Sequence, residues 1–292
     1  MYDRVLVPTD GSDGTVQAVV RALAVARTFD AEVHVLYVVD TRPFDGIDLA
    51  DEEEFERVAI QTGRRAITAV RERADEVGLD VSQEVRTGVP HEEIVDYVEA
   101  NDVDLVSMGT HGRTGAELGA LGSTTERVLR RADVPVLTVQ LTGGPDGTDG
   151  LVDVAHDDVL VPIDGSDPAV RAAEHAVGFA ERTGATLHAL YVVDTSIFEY
   201  EDAPRSILGT LREGGQKAVS GIEAMGADAS VPTTGTVAEG RPFQAILDYA
   251  RDVDADLVVS GRRGRTGLPE VLLGSTTARL VRLADAPVLS VT

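Results

Sequence analysis

The chain has no cysteine, no tryptophan and a single lysine, Lys217. Without cysteine there is no disulfide framework, no thiolate metal site and no thiol nucleophile. Basic residues are scarce as a class, 26 against 50 acidic ones, for a formal charge of −24 over 292 residues. A nucleic-acid partner demands a basic footprint that displaces counterions, so this balance opposes one. No apolar run approaches the ~18–20 residues of a membrane helix. The start, Met1-Tyr2-Asp3-Arg4, lacks the basic-then-apolar pattern of a signal peptide. These absences lead us to expect a soluble cytoplasmic protein with no nucleic-acid partner and no membrane insertion. Its 43% hydrophobic content is that of a folding chain. Acidity with almost no lysine suggests concentrated salt, as in a halophilic archaeon, where charge keeps the chain dispersed and salt screens its self-repulsion.

What is present is present twice. Val5-Leu-Val-Pro-Thr-Asp-Gly-Ser12 recurs as Val159-Leu-Val-Pro-Ile-Asp-Gly-Ser166. Tyr37-Val-Val-Asp-Thr41 recurs as Tyr191-Val-Val-Asp-Thr195, and Val134-Pro-Val-Leu137 as Ala286-Pro-Val-Leu289. A two-copy period this long is a duplicated domain and not a solenoid. The polar, glycine-rich stretch after residue 141 reads as a linker. The expected organisation is a first domain over 1–141, a linker over 142–156 and a second domain over 157–292.

Within each copy, strand and helix patterns alternate. The first copy reads as strands at 5–8, 33–39, 81–85 (an edge), 105–108 and 135–139. Helices fall at 13–28, with Val16, Val19, Val20 and Leu23 on one face, at 51–77, from Pro90, and from Ser123 to about Arg131. In the second copy, Asp167-Pro168 suggests a cap and first-turn pair. Alternation of this kind means an α/β fold, a parallel sheet with helices on both faces.

Ligands of such sheets sit beyond the carboxyl ends of the strands, at the switch in strand order. Two segments then matter most: Pro8-Thr9-Asp10-Gly11-Ser12, and Gly109-Thr-His-Gly112 running on to Gly122-Ser123-Thr124-Thr125. The glycines permit close backbone approach and positive φ. Ser123-Thr124-Thr125-Glu126 fits a capping box, and a helix start with exposed N–H groups favours anions. Residues 261–282 carry five arginines against one acid, and residues 109–131 four against two. These basic islands in an acidic chain favour a phosphate-bearing ligand. Plainer readings compete. The loops could be tight connections, Asp10 and Asp164 could cap the first helix, and the arginines could answer helix dipoles or surface acids. His111 aligns with Arg263, which favours a solvated loop role over catalysis. There is no G-x-x-x-x-G-K-[ST], no G-x-G-x-x-G after the first strand, no G-x-S-x-G and no histidine pair at metal spacing.

Gly109-x2-Gly112-x9-Gly122-Ser123 and Gly261-x2-Gly264-x9-Gly274-Ser275, with the two Val-Pro-x-Asp-Gly-Ser starts, resemble the nucleotide-binding signature of the universal stress protein family. The resemblance covers nearly the whole chain. It implies two tandem Rossmann-like (adenine nucleotide alpha-hydrolase-like) domains, each a five-stranded parallel sheet in the order 3-2-1-4-5. It also implies ATP or another adenine nucleotide as ligand, with Mg2+ as a further expectation. On that likeness Asp10 and the Val38 backbone would meet the adenine end. Pro8, Thr9, Met108 and Gly109 would line base and ribose, and Gly112, Gly122, Ser123, Thr124 and Thr125 would hold phosphates. The second copy would use Pro162, Ile163, Asp164, Val192, Gly261, Arg263, Gly264, Gly274, Ser275, Thr276 and Thr277. It departs at Ile163, at Ser260 and at Arg262-Arg263. The family's dimerisation through final strands implies that Pro135–Val139 and Pro287–Val291 pair as an internal pseudo-dimer, with further homodimers open. A ligand-dependent stress-response module leads. With no evident general base, any hydrolysis is expected to be slow. A slow ATPase or phosphotransferase, and a ligand-free adaptor, remain alternatives.

Overall fold

The structure is a computed structural model. It describes residues 1–42, 49–111, 121–140, 156–196, 205–262 and 273–292, with the backbone alone for 13, 49–53, 205 and 206. The chain divides into two units, Met1–Val154 and Ala155–Thr292.

In the first unit the elements run β1 (Arg4–Pro8), α1 (Asp13–Phe29), β2 (Glu32–Asp40), α2 (Leu49–Glu76), β3 (Val81–Gly88), α3 (Pro90–Ala100), β4 (Leu105–Gly109), α4 (Ser123–Arg131) and β5 (Val136–Val139). The second repeats them as β6 (Asp158–Ile163), α5 (Asp167–Thr183), β7 (Thr186–Asp194), α6 (Arg205–Asp228), β8 (Thr233–Gly240), α7 (Pro242–Asp252), β9 (Leu257–Gly261), α8 (Ser275–Leu283) and β10 (Val288–Val291). The first sheet has the order β3-β2-β1-β4-β5, the second β8-β7-β6-β9-β10. The pairing is parallel, as in Val5 against Val33, Val5 against Leu105 and Val159 against Leu257. Both sheets therefore have the expected 3-2-1-4-5 order, with helices packed on both faces.

Central strands are apolar on both faces because helices cover both. Val5, Leu6, Val7, Val33, Val35, Leu36, Leu105 and Val106 are wholly buried. The α1 stripe differs from the expected one. Ala18, Val19, Ala22, Leu23, Val25 and Ala26 are buried, while Val16 and Val20 are only half-buried. Small alanines let the helix lie close on the sheet, and the valine spacing alone did not show this. In the second copy the helix cap lies one residue before the expected Asp167. Ser166 is the N-cap of α5 and its hydroxyl accepts from the Ala169 N–H at 3.4 Å. Asp167 and Pro168 thus lie in the first turn, where acid and proline are both well placed. Pro90 opens α3 and Pro242 opens α7.

Candidate functional site

β1 and β4 lie side by side and their chains depart in opposite directions, so a crevice opens beyond Pro8 and Gly109. Its floor is the turn after β1. The Ser12 N–H and Oγ both donate to Asp10 Oδ1, at 2.9 and 2.5 Å. Ser166 repeats this on Asp164, at 3.0 and 2.6 Å. The turn needs positive φ, which Gly11 (75°) and Gly165 (81°) supply. Asp10 and Asp164 therefore build this turn, and the caps that follow are Ser12 and Ser166.

Thr9 is 7% exposed, and its hydroxyl lies 3.1 Å from Thr15 Oγ1. In the second unit Ile163 and Ala169 stand in those two places, so a hydrogen-bonded pair becomes an apolar one. The change at Ile163 is thus matched inside the protein. On the opposite wall Met108 is replaced by Ser260, whose Oγ is 3.2 Å from Thr277 Oγ1.

The second wall is a helix start. The chain leaves at Gly109 and returns so that the Gly122 N–H donates to the Thr110 carbonyl at 2.8 Å. Thr125 Oγ1 donates to the Gly109 carbonyl at 2.9 Å, and Thr277 to Gly261 at 2.7 Å. The capping-box expectation fails. Gly122 is the N-cap of α4, with no side-chain cap bond, and Gly274 is the same for α8. The first bonds within the helices reach back to these glycines from Glu126 and Ala278. The N–H groups of Ser123, Thr124 and Thr125, and of Ser275, Thr276 and Thr277, precede that bond and have no partner within the helix. A carboxylate cap would have occupied them; a glycine cap leaves them to a ligand.

The glycines do not owe their identity to positive φ. None of Gly109, Gly122, Gly261 or Gly274 adopts it, Gly122 lying at −59° and Gly274 at −61°. A Cβ at Gly109 would collide with the Gly14 carbonyl of α1, and one at Gly261 would come within 2.8 Å of the Pro168 carbonyl. These two glycines close the first helix onto the sheet.

The third wall is strand backbone. Leu36 accepts from the Thr9 N–H at 2.9 Å on the β1 side. Peptide direction alternates along a strand, so Val38 turns its N–H and C=O to that side too, past the end of β1. Val192, two residues beyond Leu190, repeats this beside β6. A donor and an acceptor in line, on a rigid edge, can read the polar edge of a planar base.

The resulting cavities measure ≈ 450 Å³ in the first unit and ≈ 360 Å³ in the second, within the usual range for small-molecule sites. The first is lined by Pro8, Thr9, Asp10, Val38, Met108, Gly109, Gly122, Ser123, Thr124 and Thr125. The second is lined by Pro162, Ile163, Asp164, Val192, Ser260, Gly261, Gly274, Ser275, Thr276 and Thr277. Gly112, Arg263 and Gly264 lie outside the described residues.

Sequence reasoning missed several wall residues. Thr15, Asp40, Arg42, Phe55, Ala59, Pro90 and Ile94 also line the first cavity, and Leu211, Pro242 and Ile246 the second. Recurrence of Pro-x-x-x-Ile at 90–94 and 242–246 was the available signal. Asp40 accepts from Arg42 Nε at 2.8 Å, and these hydrogen bonds hold its carboxyl below the usual carboxylate range against the opposing effect of burial. His111 is not the solvated side chain expected. It lines the first cavity, with Nδ1 3.0 Å from Thr110 Oγ1 and Nε2 buried without a partner among the described residues.

Of the basic islands, Arg113, Arg263 and Arg265 lie outside the described residues, and others are engaged elsewhere. Arg130 pairs with Glu126 at 2.6 Å, Arg131 with Glu92 at 3.7 Å, and Arg279 stacks 4.3 Å from the Phe243 ring centre. They sit one to two turns along their helices and line neither cavity. Arg42 is the arginine that lines the first. Among the described residues, no group of three or more His, Asp or Glu could hold a metal ion, and no helix is long and apolar enough to cross a membrane.

Fold and crevice define a class: tandem doubly wound α/β domains, each with a switch-point cavity walled by a helix start and open strand backbone. The universal stress protein family model matches residues 1–140 and 156–292. The chain belongs to the universal stress protein family, whose function lies in the stress response. A universal stress protein of Methanocaldococcus jannaschii is 40% identical over 141 residues, 48% of this chain and 83% of that one. A universal stress protein of Mycolicibacterium smegmatis is 28% identical over 98% of this chain and 96% of its own length. The crystal structure of a universal stress protein from Archaeoglobus fulgidus has a similar fold, with TM-score 0.73 over 100% of this chain and 99% of that one, at 24% identity.

Proposed function

We propose that each domain binds an adenine nucleotide and that the chain acts in the stress response as a ligand-dependent regulatory or protective module. One observation carries this reading: in each cavity a glycine-capped helix start faces strand backbone whose N–H and C=O are turned past the end of the first strand. The helix start suits phosphate, and the strand edge suits the base. The two walls of each cavity differ in character as the two ends of a nucleotide do. Asp10 and Asp164 would stand at the base end, away from the phosphates they would repel. Magnesium would arrive on the phosphates, which with water supply most of its ligands. This reading is one of binding, and any hydrolysis is expected to be slow.

Calorimetry with ATP on the full chain tests the proposal. Two sites are expected per chain, with Gly122→Val and Gly274→Val each removing one. Unchanged stoichiometry in both variants would refute the placement.

A further inference from the structure

We propose that the first cavity extends into an annex bounded by Arg42, Phe55 and Ala59, which among the described residues the second cavity lacks, so that domain 1 alone accepts an adenine nucleotide enlarged at its 6-amino group. This rests on the adenine-nucleotide reading above.

The two cavities can be superposed residue by residue through a pair of tight contacts. A Cβ on Gly63 of α2 would strike the Tyr37 ring, and a Cβ on Gly215 of α6 would strike the Tyr191 ring. Each glycine fixes its helix on the tyrosine of the preceding strand at the same register. One turn earlier, Ala59 and Leu211 therefore occupy the same place, and both line their cavities. Leucine carries three more carbons than alanine at that wall.

Beyond this point the cavities diverge. The first continues past Ala59 to Phe55, one further turn along α2, and to Arg42. The matching Ile207 and Ser196 do not line the second, whose described wall on this helix is Leu211. The residue after β2 explains the rest. Arg42 is steered by its hydrogen bonds to Asp40, whereas Asp194 accepts from the N–H and Oγ of Ser196, at 2.9 and 2.6 Å, leaving a short side chain there. The volumes, ≈ 450 against ≈ 360 Å³, follow the same direction.

Topology says which end of the ligand meets the annex. Sheet order places β4 on one side of β1 and β2 on the other. With phosphates at α4 beside β4 and the base at Val38 of β2, the line from phosphate to base continues to Arg42 and α2. Adenine joins its ribose through N9, so its far edge bears the 6-amino group. An aromatic substituent there would meet the Phe55 ring and the Arg42 guanidinium, both of which favour aromatic faces.

Isothermal titration of the full chain with ATP and with N6-benzyl-ATP tests the inference. Two ATP and one N6-benzyl-ATP per chain are expected. Leu211→Ala should raise the N6-benzyl-ATP count to two. Ala59→Leu should weaken the single site about tenfold or more, the discrimination that a few carbons provide in an apolar pocket. Two ATP together with either two or no N6-benzyl-ATP in the wild-type chain, or no gain in Leu211→Ala, would overturn the annex alone. Absence of ATP binding at both sites would overturn the nucleotide reading and the annex with it.

Discussion

Gly109→Ala separates two reasons for a glycine in the motif after β4. If Gly109 served only to let a ligand approach, alanine would weaken binding and leave the empty protein's stability unchanged. The structure gives another reason. The added methyl would meet the Gly14 carbonyl oxygen and carbon, with the His111 carbonyl 3.2 Å away. All three are backbone, so no rotamer change relieves them, and α1 must lift from β4. Overpacking of this kind costs about 1–3 kcal/mol. At roughly 4 °C per kcal/mol for a domain of this size, the melting midpoint should fall by about 4–12 °C. Gly261→Ala meets Pro168 carbonyl atoms at 2.8 and 2.9 Å, a looser fit, and should cost less. Gly122→Ala meets the Thr110 carbonyl at 3.2 Å, at an N-cap with ordinary φ. Its cost should be that of losing a glycine cap, at most about 1 kcal/mol. Thermal and urea unfolding of the nucleotide-free variants give the ranking Gly109→Ala, then Gly261→Ala, then Gly122→Ala. Wild-type stability in Gly109→Ala, with binding lost, would refute the packing argument.

Two further outcomes follow from charge. With a net charge of −24, self-repulsion should relax as the screening length falls from about 10 Å at 0.1 M salt to about 3 Å at 1 M. The melting midpoint should therefore climb with KCl over that range, by more than the ~4 °C that 1 kcal/mol gives; a flat or falling curve would sink the salt argument. The Asp40 carboxyl, held down by Arg42, should titrate below the ordinary carboxylate range in a carbon-13 NMR titration and move up in Arg42→Ser. Its folded pKa is depressed, so its stabilisation is present above the unfolded value and is lost as pH falls through the folded one. With Asp40 31% and Arg42 43% exposed, the effect on stability is small, which makes the titration the better readout. An unchanged Asp40 titration in Arg42→Ser would refute the assignment.

The fold could be read from the chain because its signals are local and stated twice. Hydrophobic runs bounded by turns mark β1, β2 and β4, and Pro90 and Pro242 mark the starts of α3 and α7. A second copy in the same order removes the ambiguity of a short apolar run. The segments flanking the crevice were legible for the same reason. What escaped was set by side-chain contacts that no local pattern announces. Phe55 and Ala59 belong to a helix whose pattern reads only as long and charged; they become cavity wall because Gly63 seats α2 on Tyr37. Thr15 gains meaning only opposite Thr9, a pair whose places are taken by Ile163 and Ala169 in the second copy. The described arginines of the two basic segments do not line the crevices, because composition counts charge without direction. α4 begins at the crevice and carries Arg130 and Arg131 at its other end, beside Glu126 and Glu92. On the nucleotide reading proposed above, phosphate would meet peptide N–H groups that glycine leaves uncapped. In a strongly acidic protein these groups have an advantage over side-chain cations, since the surrounding carboxylates cannot neutralise them by rotating into an ion pair.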